Sequence, residues 1–397
     1  MIREASKPKI IKAILSTPQI VFARPAVNWF FYKYLGKFNV SDVGGNLIIH
    51  SHLPPMNGKA YSRFVKEHLL ADSKGPSHAQ IGLTNACPQN CGYCYNKSRT
   101  GRVMDTETIM KTIRDLKALG VFWLGLTGGE PLLNRDIVRI IESAGDDCAV
   151  KLFTTGCTLT KSLASDLKKA GLFSVAVSLD HWIEEKHDRA RNYKGAYRTA
   201  LDAIDIFKST DGMHVSVSAV LSKDMLKRET AEEYLEFLRR LGIHEAWLSE
   251  AKPSAAAARY DGLVITQEER SMLMDLQDRY NKTGGMTVNY LGHFEDARHF
   301  GCAAGNKMVY VDAFGEVSPC VFVPMTFGNV KETPVKDIYG KMRERFPTEN
   351  TCFINKNYRI LQNRLQPDSL IGKEESLRLT EKIQFGRPAR FFELRYR

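Results

Sequence analysis

Between residues 79 and 250 the chain alternates strand-like and helical segments, and this alternation constrains its fold more than any other feature. Short apolar runs predict six strands, at 79–84, 121–127, 149–155, 173–179, 214–221 and 245–249. Apolar residues at helical spacing predict five helices between them, at 105–119, 136–143, 161–170, 196–208 and 229–241. Strands that alternate with helices of about 10–15 residues form a parallel sheet with right-handed crossovers. We therefore predict an α/β fold, a partial (β/α)6 barrel whose active site lies at the carboxyl ends of its strands.

The regions that flank this alternation follow other patterns. The first part is a basic and aromatic segment, in which a helix begins at Pro25 and an extended piece surrounds Gly44. The small-residue run 255–258 predicts a linker or short helix, and 266–280 predicts a helix. A strand–turn–strand pattern over 308–321 predicts a small α+β extension, which a basic tail follows. The predicted parts are 1–76, 77–292, 293–361 and 362–397.

The composition is that of an ordinary folded protein of 397 residues, with 43% apolar and 25% charged residues. It excludes intrinsic disorder, collagen-like repeats and a disulfide-dense miniprotein. No apolar stretch approaches the roughly 20 residues of a membrane span, and residues 1–12 lack the apolar core of a secretory signal. We therefore expect a cytoplasmic protein whose eight cysteines serve metal binding or catalysis rather than disulfides.

The net charge of +11 is concentrated at the two ends of the chain. Residues 1–40 and 341–397 each sum to +6, so the residues between them sum to −1. Both ends place aromatic residues beside Lys and Arg, which leaves two interpretations. Either the aromatic residues dock on the barrel, or residues 1–40 and the tail contact an anionic membrane surface at its inner face. A nucleic-acid partner is disfavoured, because no RNA- or DNA-binding motif is present.

A cluster of three cysteines follows the first predicted strand. Cys87, Cys91 and Cys94 have the spacing C-x3-C-x2-C on what must be a tight loop. Three thiolates on such a loop can hold three irons of a four-iron cluster and leave the fourth iron open to a ligand. The alternative is a structural zinc site, which normally needs a fourth ligand that this loop does not supply.

The second predicted strand ends in Thr127-Gly128-Gly129-Glu130-Pro131, in which two glycines expose the backbone to a close ligand. The third ends in Thr154-Thr155-Gly156, and the fourth in Ser178-Leu179-Asp180. Together with the three cysteines, and with Tyr93 before the last of them, these motifs resemble the radical S-adenosylmethionine (radical SAM) superfamily over about residues 79–250. Many members have Thr-Asn-Gly where this chain has Thr-Thr-Gly followed by Cys157; we interpret Cys157 and Cys148 as small structural residues.

The resemblance implies a four-iron cluster on Cys87, Cys91 and Cys94, whose open iron chelates the amino and carboxylate groups of SAM. It also implies that a ferredoxin- or flavodoxin-like reductant drives cleavage of SAM to a 5′-deoxyadenosyl radical, which abstracts hydrogen from a substrate carbon. In this interpretation Gly128, Gly129 and Glu130 hold the amino group and Tyr93 lies near the adenine. The residues expected at the methionine or ribose part are Thr154, Ser178 and Asp180.

A second set of cysteines, Cys302, Cys320 and Cys352, surrounds the predicted hairpin with its turn at Gly315. This region resembles the SPASM and twitch extensions of radical SAM enzymes, which bind auxiliary iron–sulfur clusters. The full SPASM pattern has seven cysteines, and only three are present here. The resemblance therefore implies one auxiliary four-iron cluster, which binds substrate or relays an electron. The alternatives are three unliganded cysteines or a zinc site.

The predicted function is hydrogen abstraction from a peptide, cofactor-precursor or lipid substrate, as an oxidoreductase or in forming a C–C or C–S bond. The residue that completes catalysis is not indicated. Residues 1–76 show no clear winged-helix pattern of the kind found in peptide maturases, which disfavours a peptide substrate without excluding it. A lipid or isoprenoid substrate would account for their apolar and basic character. The alternative from a different class is a non-catalytic iron–sulfur or zinc protein for electron transfer or scaffolding.

Overall fold

The chain begins with a helical segment that carries a small β-hairpin. The structure is a computed structural model, and it describes residues 2–15, 17–71, 73–97, 99–254, 264–365 and 369–396. The linker expected at 255–258 lies outside the described residues. The helix predicted at Pro25 is confirmed, and Pro25 occupies its first turn, where no N–H is needed. The elements are α1 (Lys7–Leu15), α2 (Pro25–Leu35), β1 (Ser41–Val43), β2 (Asn46–Ile48), α3 (Lys59–Arg63) and a π-helical stretch, Phe64–Leu70.

The predicted alternation of strands and helices is confirmed. Its six strands lie side by side and parallel in chain order: β3 (His78–Gly82), β4 (Trp123–Thr127), β5 (Ala149–Thr154), β6 (Leu172–Ser178), β7 (His214–Leu221) and β8 (Glu245–Glu250). The helices between them are α4 (Thr106–Ala118), α5 (Ile137–Ala144), α6 (Lys161–Lys169), α7 (Glu184–Arg191), α8 (Ala196–Lys208) and α9 (Arg228–Leu241). The sequence did not predict α7, because its residues are almost all charged and show no apolar periodicity.

The sheet has nine strands rather than six, because the later part of the chain extends both of its edges. After α10 (Gln267–Thr283), β9 (Thr287–Tyr290) pairs parallel with β8 and leads into α11 (Leu291–Phe294). At the other edge, β10 (Met308–Val311) pairs parallel with β3, and β11 (Val317–Ser318) pairs antiparallel with β10. The predicted hairpin is confirmed, and Gly315 takes the left-handed turn conformation at φ 88°. The extension is therefore continuous with the barrel sheet.

The C-terminal helices are α12 (Val335–Arg345), α13 (Phe353–Gln362), α14 (Lys373–Lys382) and α15 (Arg390–Tyr396). The last of them packs on α2, where the Phe391 ring lies 5.5 Å from Phe30 and 5.6 Å from Phe31. The aromatic residues of the two chain ends thus dock on one another and on the barrel. On its outer face α2 exposes Trp29 and Tyr32.

The N-terminal segment also closes the bottom of the barrel, where the strands begin. Trp123 Nε1 donates a 2.7 Å hydrogen bond to the Ser51 carbonyl, and the Ser51 N–H donates a 2.9 Å bond to Glu245 Oε2. The His52 ring lies 3.8 Å from the Trp247 ring. These contacts cover the end of the barrel where the strands begin, and the carboxyl ends of the strands remain the expected place for reaction chemistry.

A wholly buried lysine within this floor makes stability depend on pH. Lys151 Nζ donates to Ser51 Oγ and lies 3.6 Å from the Trp247 ring centroid. Burial lowers the pKa of Lys151 to about 7, although the negative charge of Glu245 acts to raise it. Between that value and the ordinary lysine pKa, the unfolded chain binds more protons than the native one, so stability increases with pH.

We expect the free energy of unfolding of the wild type to rise by about 2 kcal/mol relative to Lys151→Met between pH 7 and pH 9. The variant lacks the titrating amine but keeps a side chain of similar length. Urea unfolding of both proteins at the two pH values measures the difference. Parallel pH dependence in the two proteins would show that Lys151 keeps its charge when buried.

Candidate active site

The loop that follows β3 presents Cys87, Cys91 and Cys94 to a cavity at the carboxyl end of the sheet. Burial raises the pKa of the Cys91 thiol, and nearby Cys94 acts in the same direction, whereas Arg191 opposes it. Thiols with raised pKa values lose their protons only to a strongly attracting cation such as iron or zinc. Burial raises the pKa of Cys87 as well, so Cys87 and Cys91 suit a metal centre better than a reactive free thiol.

The three cysteines can be compared with the ligand geometry of a four-iron cluster and of a single ion. Within the described residues, no three His, Cys, Asp or Glu side chains form a group that could hold one metal ion. Each cysteine of a four-iron cluster binds a different iron, so its sulfur atoms stand further apart than the ligands of one zinc ion. Three cysteines lie on one loop with the cavity on their open side, and the cluster with one free iron stays a prediction for them.

The glycine turn after β4 packs directly on the chain that leads to the cysteines. The Gly129 N–H donates a 2.6 Å hydrogen bond to the Thr84 carbonyl, and the Glu130 N–H donates a 2.8 Å bond to the Ala86 carbonyl. A Cβ atom on Gly128 would collide with the Thr84 carbonyl, and one on Gly129 with the Ala86 carbonyl. These glycines are thus needed to place the cysteine loop, besides exposing backbone to the cavity.

The Glu130 carboxylate is buried behind the cavity wall and ties the ends of two strands together. Its Oε1 accepts 2.6 Å and 2.9 Å bonds from Thr154 Oγ1 and the Leu132 N–H. Its Oε2 accepts bonds of 2.6 Å from both the N–H and the hydroxyl of Thr155. Four donors fill its acceptor positions, so contact with the SAM amino group, which stays a prediction, requires a threonine hydroxyl to turn away.

Asp180, at the end of β6, anchors the other side of the cysteine loop. Its Oδ1 accepts a 2.8 Å bond from Arg191 Nη2 and a 2.9 Å bond from the Val220 N–H, while the Tyr93 hydroxyl donates to Oδ2. Burial raises the pKa of Asp180, but Arg191 and the other donors outweigh burial and lower it. Arg191 Nη1 also lies 4.0 Å from Cys91 Sγ. A buried ion pair therefore holds both Tyr93 and a candidate cluster ligand.

Sequence reasoning missed Arg191, which lies at the end of the unpredicted helix α7. The available signal was its place in the chain, since residues that follow a strand of a parallel sheet gather at the carboxyl edge. Cys148 is buried in the core and Cys157 is half-buried, and neither lines the cavity. Glu130 and Asp180 are likewise outside its lining. The predicted cofactor residues that do line it are Tyr93, Gly128, Gly129, Thr154 and Ser178.

The three cysteines of the second set, Cys302, Cys320 and Cys352, lie close together and line the same cavity. The Cys302 thiol donates to the Cys352 sulfur, which lowers the pKa of Cys352, and Cys320 lies near enough to raise the pKa of Cys302. The Phe353 N–H donates a 3.4 Å bond to Cys302 Sγ. Three thiols from distant parts of the extension thus form one group, as the auxiliary-cluster interpretation expects.

A buried lysine that the sequence did not single out contacts this second group. Lys252 Nζ donates to Glu250 Oε1 at 2.8 Å, to Glu295 Oε2 at 2.7 Å and to Cys352 Sγ at 3.5 Å. Burial lowers the pKa of Lys252, but Cys352 and the two carboxylates outweigh burial and raise it. The network joins the end of β8 to the extension, so no local sequence pattern could have shown it.

Both cysteine sets face a single cavity of about 360 Å³. Between them its wall includes the hydroxyls of Ser218 and Ser249 and the rings of Tyr95, Phe153 and Phe322. This volume lies in the range of small-molecule sites. The arrangement can hold a cofactor beside the first cysteines and a substrate between the two sets.

We expect Gly129→Ala to reduce the iron bound after anaerobic reconstitution to less than half of the wild-type amount, because the new methyl group displaces the cysteine loop. The matched control is Gly92→Ala on the same loop, where an added Cβ meets no atom within 4 Å. Iron and sulfide assays on both variants measure the effect. Equal iron contents would show that the turn does not position the loop.

Two family models match the chain. One, described as the radical SAM superfamily, matches residues 81–241, and the other, described as an iron–sulfur cluster-binding domain (SPASM), matches residues 302–359. The AdoMet-dependent heme synthase of Methanosarcina barkeri is 25% identical over 315 residues, which cover 72% of this chain and 90% of that protein. The PqqA peptide cyclase of Bradyrhizobium diazoefficiens is 30% identical over 166 residues, which cover 41% of this chain and 43% of that protein.

Solved structures share the fold. Streptococcus suis SuiB bound to precursor peptide SuiA superposes with a TM-score of 0.59 and 17% identity, over 78% of this chain and 77% of that chain. The enzyme anSMEcpe with bound AdoMet gives a TM-score of 0.55 and 15% identity, over 81% of this chain and 91% of that chain. The chain belongs to the radical SAM superfamily and carries a SPASM-type iron–sulfur extension.

Proposed function

We propose that this protein is a radical SAM enzyme that abstracts hydrogen from a carbon of a substrate bound between its two cysteine sets. The observation that carries the proposal is the single cavity onto which both sets open. When bound, the reduced cluster and SAM supply a 5′-deoxyadenosyl radical that takes a hydrogen atom from the substrate. The electron comes from a ferredoxin- or flavodoxin-like reductant in the cytoplasm.

The chain's own residues bind and orient these groups. Cys87, Cys91 and Cys94 would hold the cluster, and the backbone at Gly128 and Gly129 would border the amino group of SAM. Tyr93, fixed by its hydrogen bond to Asp180, would lie along the adenine. Thr154 and Ser178 would complete the wall. This wall would exclude water from the space in which the cofactor and the substrate meet.

The second cysteine set would hold an auxiliary four-iron cluster. Buried Lys252, which contacts Cys352, places a positive charge next to the ligands and favours a reduced, more negative cluster. Such a cluster would accept an electron from the substrate radical or bind the substrate directly. The relatives bear the names of a heme synthase, a peptide cyclase and a GTP cyclase, so they do not favour one substrate class.

The test is anaerobic reconstitution followed by assay of 5′-deoxyadenosine with SAM and dithionite. We expect Cys91→Ala to abolish 5′-deoxyadenosine formation, because it removes a cluster ligand, whereas the buried control Cys148→Ala keeps it. Replacing Cys302, Cys320 and Cys352 together by alanine should lower the iron content from roughly eight to roughly four atoms per chain.

If the wild type binds iron but does not cleave SAM, the result would instead support a non-catalytic iron–sulfur protein. If it binds zinc and no iron, the result would support a zinc protein with a scaffolding role. An unchanged iron content in the triple variant would contradict the proposed auxiliary cluster. EPR spectra of the reduced proteins distinguish one cluster from two.

We also propose that the outer face of the N-terminal helices contacts an anionic membrane surface. Of the 13 large apolar residues exposed in the described part of the chain, seven lie in this short stretch. They are Ile11, Ile14, Leu15, Val21, Phe22, Trp29 and Tyr32. The greatest exposures are 80% for Phe22 and 71% for Tyr32. Such a concentration of apolar surface marks an interaction site.

The basic residues of the same face make an anionic bilayer its matching partner. Lys7, Lys12, Arg24 and Lys33 are exposed, and none of the ion pairs in the described ranges includes them. Lys33 Nζ lies 4.9 Å from the Trp29 ring, so charge and apolar surface are interleaved. Among the described residues, no helix is long and apolar enough to cross a bilayer. The expected association is therefore peripheral, through these short helices.

Vesicle flotation tests this surface. We expect the wild type to float with phosphatidylglycerol-containing vesicles and the double variant Phe22→Glu/Trp29→Glu to lose roughly tenfold in partitioning, since two charges replace inserted apolar groups. The matched control is Tyr193→Glu/Ile360→Glu, which changes exposed apolar residues outside this face. Failure of the wild type to float, or equal flotation of both variants, contradicts the membrane surface. Self-association in gel filtration would identify a second copy as the occupant instead.

A further inference from the structure

The loop that carries the first cysteines has one face toward the cavity and one toward the solvent. The residues of this loop that line the cavity include Cys87, Gln89 and Cys91. The residues that alternate with them are exposed and lie outside the lining, and they are Ala86, Pro88 and Asn90. We call these three residues the loop face. A cluster bound to the cysteines would be separated from the solvent at the loop face by this single stretch of chain.

Other sides of the cavity are covered by whole helices. Helix α2 contributes Phe31 to the wall and α15 contributes Phe391, and these two rings lie 5.6 Å apart. A helix with its side chains is about 10 Å thick. Electron transfer between two proteins slows steeply as the thickness of protein between their redox groups increases. An electron carrier that approaches from outside therefore meets less protein at the loop face than at these helices.

Basic side chains lie on two sides of the loop face. Lys97 Nζ donates a 3.1 Å hydrogen bond to the Asn90 carbonyl. The Asn90 N–H donates a 3.0 Å bond to the Arg191 carbonyl, which fixes the end of α7 beside the loop. Arg189, in the last turn of this helix, and Lys194, just after it, are both exposed. The loop face thus has cations on the side of α7 as well as on its own chain.

Further cations lie where the chain leaves the loop. Asn85 Nδ2 donates a 3.0 Å hydrogen bond to the Arg99 carbonyl, so the segment after the cysteines returns beside the start of the loop. Arg102 is exposed in this segment. Lys331 Nζ, from the extension, donates a 2.9 Å bond to the Arg102 carbonyl. These bonds to carbonyls leave the positive charge of each lysine uncompensated.

The segments around the loop face carry more unpaired cations than unpaired acids. The cations that take part in no ion pair within the described residues are Lys97, Arg102, Arg189, Lys194 and Lys331. The acidic residues of the same segments that have an ion-pair or backbone N–H partner are Asp105, Glu184 and Asp188. The acidic residues there without such a partner are Glu185 and Glu332. This part of the surface therefore attracts an acidic partner.

Exposed apolar side chains accompany this charge. Outside the N-terminal helices, the described residues expose six large apolar side chains, and four of these lie on segments that follow β3, β4 or β6. They are Val103, Leu133, Ile183 and Tyr193. Leu133 follows the turn in which the Glu130 N–H donates to the Ala86 carbonyl, and Tyr193 follows Arg191 by two residues. A few apolar groups among cations suit the small, transient interfaces of electron-transfer proteins.

We infer that the loop face and the cations around it form the docking surface for an acidic one-electron carrier protein of the flavodoxin or ferredoxin class. The cations steer the carrier to this surface, where its redox group faces the first cysteines across Pro88 and Asn90. The carrier loses one electron and the cluster gains it, so no further oxidant is required. This inference rests on the proposed function, which supplies the cluster and the SAM that consume the electron.

The test compares two reductants in the assay of 5′-deoxyadenosine with the anaerobic, reconstituted protein. Dithionite is a small ion that needs no docking surface, whereas flavodoxin, kept reduced by its NADPH-dependent reductase, has to bind. At limiting flavodoxin we expect Arg102→Glu/Arg189→Glu to lower the flavodoxin-driven rate roughly tenfold or more, because two attractive charges become repulsive. The dithionite-driven rate should stay within about twofold of the wild type, since both side chains are exposed.

The matched control is Arg240→Glu/Lys282→Glu, which reverses two exposed cations at the ends of α9 and α10, where the strands begin. It should match the wild type with both reductants. A salt series needs no variant. The flavodoxin-driven rate of the wild type should fall as sodium chloride rises from about 50 to about 300 mM, and that of Arg102→Glu/Arg189→Glu should change less.

The outcomes separate this inference from the proposed function. Equal flavodoxin-driven rates in the two double variants, or a wild-type rate that ignores salt, would overturn the docking surface. So would a fall of both rates in Arg102→Glu/Arg189→Glu, or a wild type that dithionite reduces but neither flavodoxin nor ferredoxin does. Phosphatidylglycerol vesicles that suppress only the flavodoxin-driven rate would assign this surface to a bilayer. Absence of 5′-deoxyadenosine from the wild type with dithionite would be a failure of the proposed function.

Discussion

The parallel pairing of β10 with β3 determines where the chemistry of this protein can occur. Met308 to Val311 run beside His78 to Ile81 in register, so the extension shares the direction of the first barrel strand. Carboxyl ends of parallel strands meet at one edge. The cysteine loop after β3 and the segments on either side of the β10–β11 hairpin, which carry Cys302 and Cys320, line the same cavity, although more than 200 residues separate Cys94 from Cys302. Without this pairing the two cysteine sets would belong to separate sites.

Each cysteine set is accompanied by a buried cation that a carboxylate holds in place. Arg191 lies between Asp180 and Cys91, and Lys252 lies between Glu295 and Cys352. A buried ion pair seldom adds stability, because both charges lose their hydration. If the cysteines bind clusters as proposed, these cations would offset the negative charge of the thiolates, and the carboxylates fix the direction from which each cation approaches. The unfavourable free energy of burying these two ion pairs is therefore explained by the arrangement of the site and not by the stability of the fold.

The sequence predicted the features that depend on local pattern and missed those that depend on contacts between distant elements. Apolar runs and helical spacing located β3 to β8 within a few residues, because a covered parallel strand is apolar along its whole length. The charged helix α7 and its Arg191 lack any periodic signal. The role of Lys252 is visible only in the folded protein, because its contact with Cys352 joins two parts of the chain that are far apart in sequence. The glycine turn was recognised as a motif, but its packing on the Ala86 carbonyl required coordinates.

The N-terminal segment links the outside of the molecule to the reaction site through consecutive elements. Its first helices expose apolar and basic groups, α2 presents Phe31 to the cavity, and Ser51 fills the floor of the barrel beneath it. A segment that only stabilised the barrel would bury its apolar residues, because exposing Phe22 and Trp29 adds nothing to folding. Helix α2, which exposes Trp29 and Tyr32 to the solvent, also lines the cavity with Phe31 and Tyr34. This helix therefore connects the proposed membrane surface with the wall of the cavity.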